Sequence, residues 1–327
     1  DYVFAVKLLI RAGADVNSIY ENFTPLLVAL VYGEIEVINV LIKNGAQVNL
    51  RGDDIVPILH FIVNEENEWQ KDRERYFGIM KILLAAGANV DDLIKCNKKT
   101  PLHVALIKGG HVGIIDLLLA HGANINTKCH NSSLRISTSK FSVKLAVFYQ
   151  RPKFDVPLSL AIRNTSLSSE DRLHVVKSLL AAGACVNPSQ SDPDNPRYRP
   201  LLHVALTECS DIKIIELLIA KKVDVNAEYD QETPLTLAIK ILLNLVAKSN
   251  KSNSTEELNA INVIELLIAN GADMKKKRLF WNQNNTNPRL ASCAEYVYEI
   301  YKKAYQKYDY QPSEVVGHAY VRLVRSF

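Results

Sequence analysis

The sequence predicts an all-α chain built of repeated helix pairs, and three observations carry that expectation. First, an apolar phrase recurs: "TPLLVAL" at Thr24, "VPILHFI" at Val56, "TPLHVAL" at Thr100, "VPLSLAI" at Val156, "PLLHVAL" at Pro200 and "TPLTLAI" at Thr233. Second, each is followed by another phrase: "VINVLIKNGAQVN", "IMKILLAAGANVD", "IIDLLLAHGANIN", "VVKSLLAAGACVN", "IIELLIAKKVDVN" and "VIELLIANGADMK". Third, the opening "VKLLIRAGADVN" is a second phrase without its first, so the sequence holds six repeats and a leading half.

Each repeat explains itself in order. Thr at the start accepts from the first free N–H groups of a helix, and the neighbouring Pro suits the first turn, where its missing N–H has no partner to lose. In the second phrase Ile114, Ile115, Leu118 and Leu119 follow helical spacing and form a stripe wide enough to be buried between neighbours. Gly122 then stops the helix, because glycine accepts the left-handed conformation at a helix end. "ANIN" leads into a turn.

These phrases resemble ankyrin repeats, whose pattern is a T-P-L-H helix start, a second helix ending in G-A-D-V-N and a β-turn finger. The resemblance covers about Val3 to Lys275. It implies an ankyrin-repeat solenoid of stacked antiparallel helix pairs with fingers at right angles, and protein binding as the function. Repeats would occupy residues 1–275, and residues 276–327 a helical cap or the start of a further domain, since "LASCAEYVYEIYKKAYQKYDY" and "SEVVGHAYVRLVRSF" have helical spacing. The interval between repeat starts, about 33 residues in the family, grows here to about 44 to 56 in three places. Insertions near 64–78, 128–155, 164–174, 188–199 and 244–260 account for it. The first is charge-rich and expected to lengthen helices, and the last is Ser/Asn/Lys-rich and expected to be a flexible loop. In the fifth repeat Pro200 and Leu201 replace Thr-Pro and Lys222 replaces the stopping glycine, so a less regular turn is expected there.

Composition narrows the chemistry. Of 327 residues 48% are hydrophobic and 23% charged, enough for a large core. No run of about 18 apolar residues and no apolar leader appears, so membrane insertion and secretion are not expected. Residue 1 is not Met and falls inside a helical pattern, so the chain reads as a piece of something longer. The five cysteines lack ligand spacing, which points to reduced thiols in the cytoplasm and to no metal or cofactor. The net charge of +4 does not indicate a nucleic-acid binder, and "KKKR" at Lys275 reads as a solvated tail after a helix. Cys129-His130 are adjacent and Cys293 with His318 lack a supporting motif, so no catalytic residue is assigned. His103 and His203 are expected to bond neighbouring turn backbone, with His60, one place out of step, a weaker case.

Binding residues are better candidates. The resemblance implies a concave groove lined by finger tips and by the late part of each first helix. Tip candidates are Tyr20, Asn22, Arg51, Asp53, Lys95, Lys98, Tyr229 and Asp230; helix candidates are Tyr32, Asn64, Lys108, Arg163, Glu208 and Lys240. The repeated Asn17, Asn49, Asn126, Asn187 and Asn226 are expected to bond turn backbone, and are similar to positions that asparaginyl hydroxylases modify in some ankyrin proteins.

The insertion 128–155 alternates apolar and polar residues from Phe141 to Gln150, a strand period, with "SLRIS" as a short partner. It reads as a finger grown into a β-hairpin. Arg135, Lys140 and Lys144, with Arg151 and Lys153, face only Asp155, so an acidic partner surface is expected. The leading expectation is therefore a non-enzymatic protein-interaction module. The alternative is the targeting arm of a larger effector or enzyme of an intracellular bacterium, acting in host cytosol or nucleus, suggested by abundant Ile, Asn and Lys.

Overall fold

The structure, a computed structural model, describes residues 2–21, 23–50, 57–64, 73–94, 98–108, 111–130, 154–187, 199–209, 211–248 and 255–273. It divides into two compact bodies, residues 1–185 and 186–327. In the first, α1 (Tyr2–Arg11) is followed by the pairs α2 (Pro25–Tyr32) and α3 (Ile35–Lys43), α4 (Ile58–Asn64) and α5 (Arg73–Ala85), α6 (Pro101–Lys108) and α7 (Val112–Ala120), and α8 (Pro157–Arg163) and α9 (Ser169–Ala181). In the second, α10 (Leu201–Val204) runs into a π-helical turn at Ala205–Cys209, and α11 (Ile212–Ala220), α12 (Pro234–Lys248) and α13 (Thr255–Ala269) follow.

The core repeats as the sequence does. Each second helix buries residues at i, i+1 and i+4: Val37, Ile38 and Leu41; Ile114, Ile115 and Leu118; Val175, Val176 and Leu179; Ile214, Ile215 and Leu218. Each such side chain contributes about 1.5–3 kcal/mol by leaving water. The expected caps form. Thr24 Oγ1 accepts from the Leu27 N–H at 3.1 Å, and Thr233 and Thr236 accept from each other's backbone N–H groups at 3.3 and 2.8 Å. Val156 cannot cap, and Ser159 Oγ partly replaces it by accepting from the Val156 N–H at 3.2 Å.

Insertions mostly extend helices. α5 and α9 have 13 residues where α3 and α7 have 9. Within the 244–260 insertion, 244–248 complete α12 and 255–260 open α13, while 249–254, the Ser/Asn/Lys-rich stretch expected to be a flexible loop, lie outside the described residues. Leu242 and Val246 are buried along α12 and Glu257, Val263 and Ile264 along α13. The ends of the 128–155 insertion pair as β1 (Cys129–His130) and β2 (Phe154–Asp155), antiparallel, with Cys129 opposite Asp155. The strands expected within 133–150 and the cap expected in 276–327 lie outside the described residues.

The fifth repeat also departs from expectation. Lys222 takes up the left-handed conformation itself, φ 60° against 81° at Gly122. The turn is as regular as the others: the Lys222 N–H donates to the Ile219 carbonyl at 2.8 Å and the Val223 N–H to Leu218 at 3.2 Å. The irregularity sits instead in the first helix, where Thr207 Oγ1 donates back to the His203 carbonyl at 2.8 Å and the helix widens into the π turn. Since a non-glycine residue in the left-handed region costs about 1 kcal/mol, Lys222→Gly is expected to raise stability by roughly 0.5–1 kcal/mol. A denaturant midpoint shifted downward would contradict this.

Two side-chain ladders fasten successive turns. Asn17 Nδ2 donates to the Gly45 carbonyl at 3.0 Å while its Oδ1 accepts from the Gln47 N–H at 2.7 Å. Asn49 repeats this with Gly87 and Asn89, Asn187 with Lys222 and Asp224, and Asn226 with Gly271 and Asp273. In the fingers, His60 Nε2 meets the Lys99 carbonyl at 2.8 Å, His103 the Thr127 carbonyl at 2.9 Å and His203 the Glu232 carbonyl at 2.9 Å. A carbonyl only accepts, so each Nε2 carries the proton. His60 thus does the same work as its counterparts despite its offset.

Candidate protein-binding surface

In the second body the repeat scaffold brings four of the expected residues to one place. The finger Tyr229 to Glu232 closes on itself by two backbone hydrogen bonds of 2.9 Å, with Asp230 at φ 48° and Gln231 at φ 69°. Two positive φ values in succession make the tight hairpin turn that suits a right-handed twist. His203, held to the Glu232 carbonyl, stacks edge-on against Tyr229 with ring centroids 5.9 Å apart. Arg199, just before the helix start, reaches over both elements. Its Nη1 donates to Glu208 Oε1 and its Nη2 to Thr207 Oγ1, each at 2.7 Å, and its guanidinium lies 5.9 Å from the Tyr229 ring centroid. From α12, Lys240 Nζ donates to Glu232 Oε1 at 2.7 Å.

Glu208, Tyr229 and Lys240 therefore share one network with Arg199, Thr207, His203 and Glu232, and Asp230 stands beside it in the same finger turn. Its outer members are accessible: the Lys240 side chain is 61% exposed and Glu208 and Glu232 are each 35% exposed. The cations and carboxylates are held in fixed geometry by one another, which lowers the entropy lost when a partner docks. Sequence reasoning missed Arg199, because it stands in the Pro- and Asp-dense segment taken as finger loop. Its position directly before the helix-opening Pro200 was the available signal.

In the first body the expected residues are more scattered. Tyr20 is 77% and Tyr32 71% exposed. Lys98 holds a finger turn at φ 53°, its N–H donating to the Ile94 carbonyl at 2.9 Å, and Lys108 is exposed at the end of α6. Arg163 is turned inward: its Nη1 lies 2.8 Å from both carboxylate oxygens of Asp155, and the two side chains are only 20% and 9% exposed. Asp155, counted from composition as the acidic member of a basic finger, is thus engaged within the scaffold. Asn64 ends α4, where the description does not extend to its side chain; Asn22, Arg51, Asp53, Lys95, Arg135, Lys140 and Lys144 lie outside the described residues.

The Cys129-His130 step has a plain chemical reading. Burial, with Asp155 close by, pushes the Cys129 thiol up to about 12, so the nucleophilic thiolate is scarcely formed near neutral pH. Cys293 and His318 lie outside the described residues. Among the described residues no group of three or more His, Cys, Asp or Glu is placed to hold a metal, and no helix is long and apolar enough to cross a membrane.

A family model of ankyrin repeats in three copies matches residues 71–129, and a single ankyrin repeat model matches residues 21–53. The chain carries ankyrin repeats. It is 31% identical over 132 residues to the ankyrin repeat protein FPV031 of fowlpox virus (strain NVSL), a match covering 39% of this chain and 36% of that protein. It is 26% identical over 294 residues to the ankyrin repeat and KH domain-containing protein mask-1 of Caenorhabditis elegans, covering 77% of this chain and 10% of the relative. Against human transient receptor potential cation channel subfamily A member 1 it is 28% identical over 167 residues, 51% of this chain and 14% of the channel. The chain thus spans well under two thirds of each of these relatives. Among solved structures, the human ASB11 ankyrin repeat domain aligns with a TM-score of 0.47 and 21% identity, covering 80% of this chain and 93% of that domain. The ankyrin repeats of this chain are solenoid elements of helix pairs, as the recurring caps, helices and turns describe.

Proposed function

We propose that this ankyrin-repeat chain is a non-catalytic module that binds a protein partner through its fingers and the late positions of its first helices. The observation that carries the reading is the network around Arg199, in which finger and helix residues expected to bind meet on one accessible surface. Tyr and Arg at its centre supply large contact area with polar ends, and the charged rim supplies selectivity. The basic finger of 128–155, with Lys140 and Lys144, would add contacts to an acidic partner surface. In this reading the repeats occupy residues 1–275, and residues 276–327 would form a helical cap or the start of a further domain.

Affinity purification of the partner with the intact chain tests it. Arg199→Ala, Asp230→Lys and Lys240→Glu are each expected to weaken the complex by roughly tenfold, about 1.4 kcal/mol, with circular dichroism unchanged. Capture of no protein partner, or wild-type affinity in all three variants, would remove the proposal. A second reading, the targeting arm of a larger secreted effector or enzyme, draws on the Ile-, Asn- and Lys-rich composition; a hydrolytic activity abolished by Cys293→Ala or His318→Ala would favour it.

A further inference from the structure

Pro200 stands where other repeats carry Thr24, Thr100 and Thr233, and the histidine three residues on registers the change. In the third repeat His103 Nδ1 accepts twice from Thr100, from its N–H at 3.1 Å and from its hydroxyl at 2.7 Å. Proline has neither group. His203 therefore keeps the Nε2 bond to the Glu232 carbonyl at 2.9 Å, while its Nδ1 is buried with no hydrogen-bond partner. The residue is 2% exposed, so water does not take the place of the missing threonine from outside.

This one ring ties together the parts of the Arg199 surface. Its Nε2–H holds the end of the finger, and its edge meets Tyr229 at 5.9 Å. The carbonyl of the same residue accepts from the Thr207 hydroxyl at 2.8 Å, and that hydroxyl accepts from Arg199 Nη2 at 2.7 Å. Arg199 in turn lies over the Tyr229 ring. Finger, helix start and π turn thus meet at His203, and the finger cannot leave α10 without uncovering the ring.

Each element around the ring brings charge. Arg199, just before α10, opposes a second proton on the imidazole, whereas Glu232 and Asp230 on the finger favour one. Glu208 on the π turn and Lys240 on α12 are paired with Arg199 and Glu232, and Lys213 and Glu216 on α11 are exposed. Burial is the largest influence and holds the pKa below the ordinary 6.5. A proton at Nδ1 creates a buried cation next to a guanidinium, with a donor that has no acceptor. Both costs vanish when the ring reaches water.

We propose, building on the protein-binding reading above, that protonation of His203 in mild acid frees the Tyr229 to Glu232 finger from α10, dismantles the Arg199 surface and so weakens its hold on the protein partner. The closed finger keeps the ring neutral, and the open finger lets it titrate at about 6.5. The open form therefore gains on the closed one by roughly tenfold for each pH unit below 6.5, until the closed ring itself takes up a proton. Above 6.5 the balance does not change with this group.

Nuclear magnetic resonance of the full chain between pH 7.5 and 5 reads the finger directly. The amide signals of Tyr229 to Glu232 are expected to move together with the His203 ring, with one midpoint at or below 6.5. In His203→Gln, whose side-chain amide can still donate to the Glu232 carbonyl but does not titrate, those amides are expected to lose that midpoint. Pro200→Thr, which returns the two donors seen at His103, is expected to shift the midpoint to lower pH. Finger signals that stay in place, or that titrate alike in the wild type and both variants, overturn the proposal. For the purified partner, the wild-type dissociation constant is expected to be roughly threefold or more larger at pH 5 than at pH 7.5, and the same ratio in His203→Gln to lie nearer to one. Equal ratios in the two proteins also overturn it. If no partner is captured while the finger titrates as expected, only the protein-binding reading falls; a captured partner held equally at both pH values removes only this proposal.

Discussion

Arg163→Ala, with Asp155 left in place, is expected to lower the stability of the first body by about 3 kcal/mol. The carboxylate is 9% exposed and takes both of its close contacts with Arg163 from a single nitrogen, Nη1, at 2.8 Å. Removing the guanidinium leaves a buried carboxylate without its cation, although Ser159 Oγ still donates to Oδ1 at 3.2 Å. A buried pair repays its own desolvation only while both members are present, so losing one costs more than losing both. Arg163→Leu combined with Asp155→Asn should accordingly cost much less than the single change. Asp155 is also the residue on which the 131–153 segment returns to the scaffold, paired with Cys129. Urea unfolding of the two variants measures the difference; a single variant within 0.5 kcal/mol of the wild type would show that the pair contributes little.

Acidification from about pH 6.5 to 4 is expected to destabilise the first body by on the order of 3 kcal/mol through His103 alone. His103 is 0% exposed, and burial pushes its pKa from the ordinary 6.5 down to about 4, against the opposing effect of the Thr127 carbonyl; Lys99 and His60 depress it further. Its Nδ1 accepts from the Thr100 N–H at 3.1 Å, so a proton added there removes that bond. The unfolded chain takes up the proton below 6.5 and the folded chain only below about 4. Stability contributed by the neutral ring is therefore complete above about pH 6.5, is lost as pH falls through that window, and falls no further below it. His60 and His203 are lowered in the same direction, chiefly by burial, and each would gain a buried N–H at an Nδ1 that has no acceptor. His103→Gln should reduce the slope of unfolding free energy against pH in this range, and an unchanged slope would assign it to carboxylates instead.

These histidines show where the sequence was readable. A residue recurring near a helix start announced a structural role in the turn, and the Asn of each "V-N" step announced a backbone bond. Both inferences needed only local chemistry repeated several times. Repetition also made the caps at Thr24 and Thr233 and the buried Ile114, Ile115 and Leu118 legible, because the same pattern at each recurrence removes the ambiguity a single apolar run would carry.

Departures from the repeat were harder to read. Lys222 was expected to loosen its turn, yet neighbouring bonds on both sides, including Asn187 Nδ2 to its carbonyl at 2.9 Å, force the left-handed conformation that lysine would avoid alone. Arg163 and Lys240 occupy equivalent places in their repeats; one meets a buried Asp155 and the other a partly exposed Glu232, a distinction set by residues 8 positions earlier in each case.

By itself, then, the sequence determined the repeat, its helix starts and stops and its periodic core, since these follow from short-range caps, turns and spacing. The tertiary structure decided which late-helix residues face outward and which are consumed inside the scaffold. It joined Arg199 to Tyr229 and drew Arg163 onto Asp155. Those outcomes depend on which side chain stands opposite in space, and the partner across a turn or a neighbouring repeat is not encoded in the spacing of either segment alone.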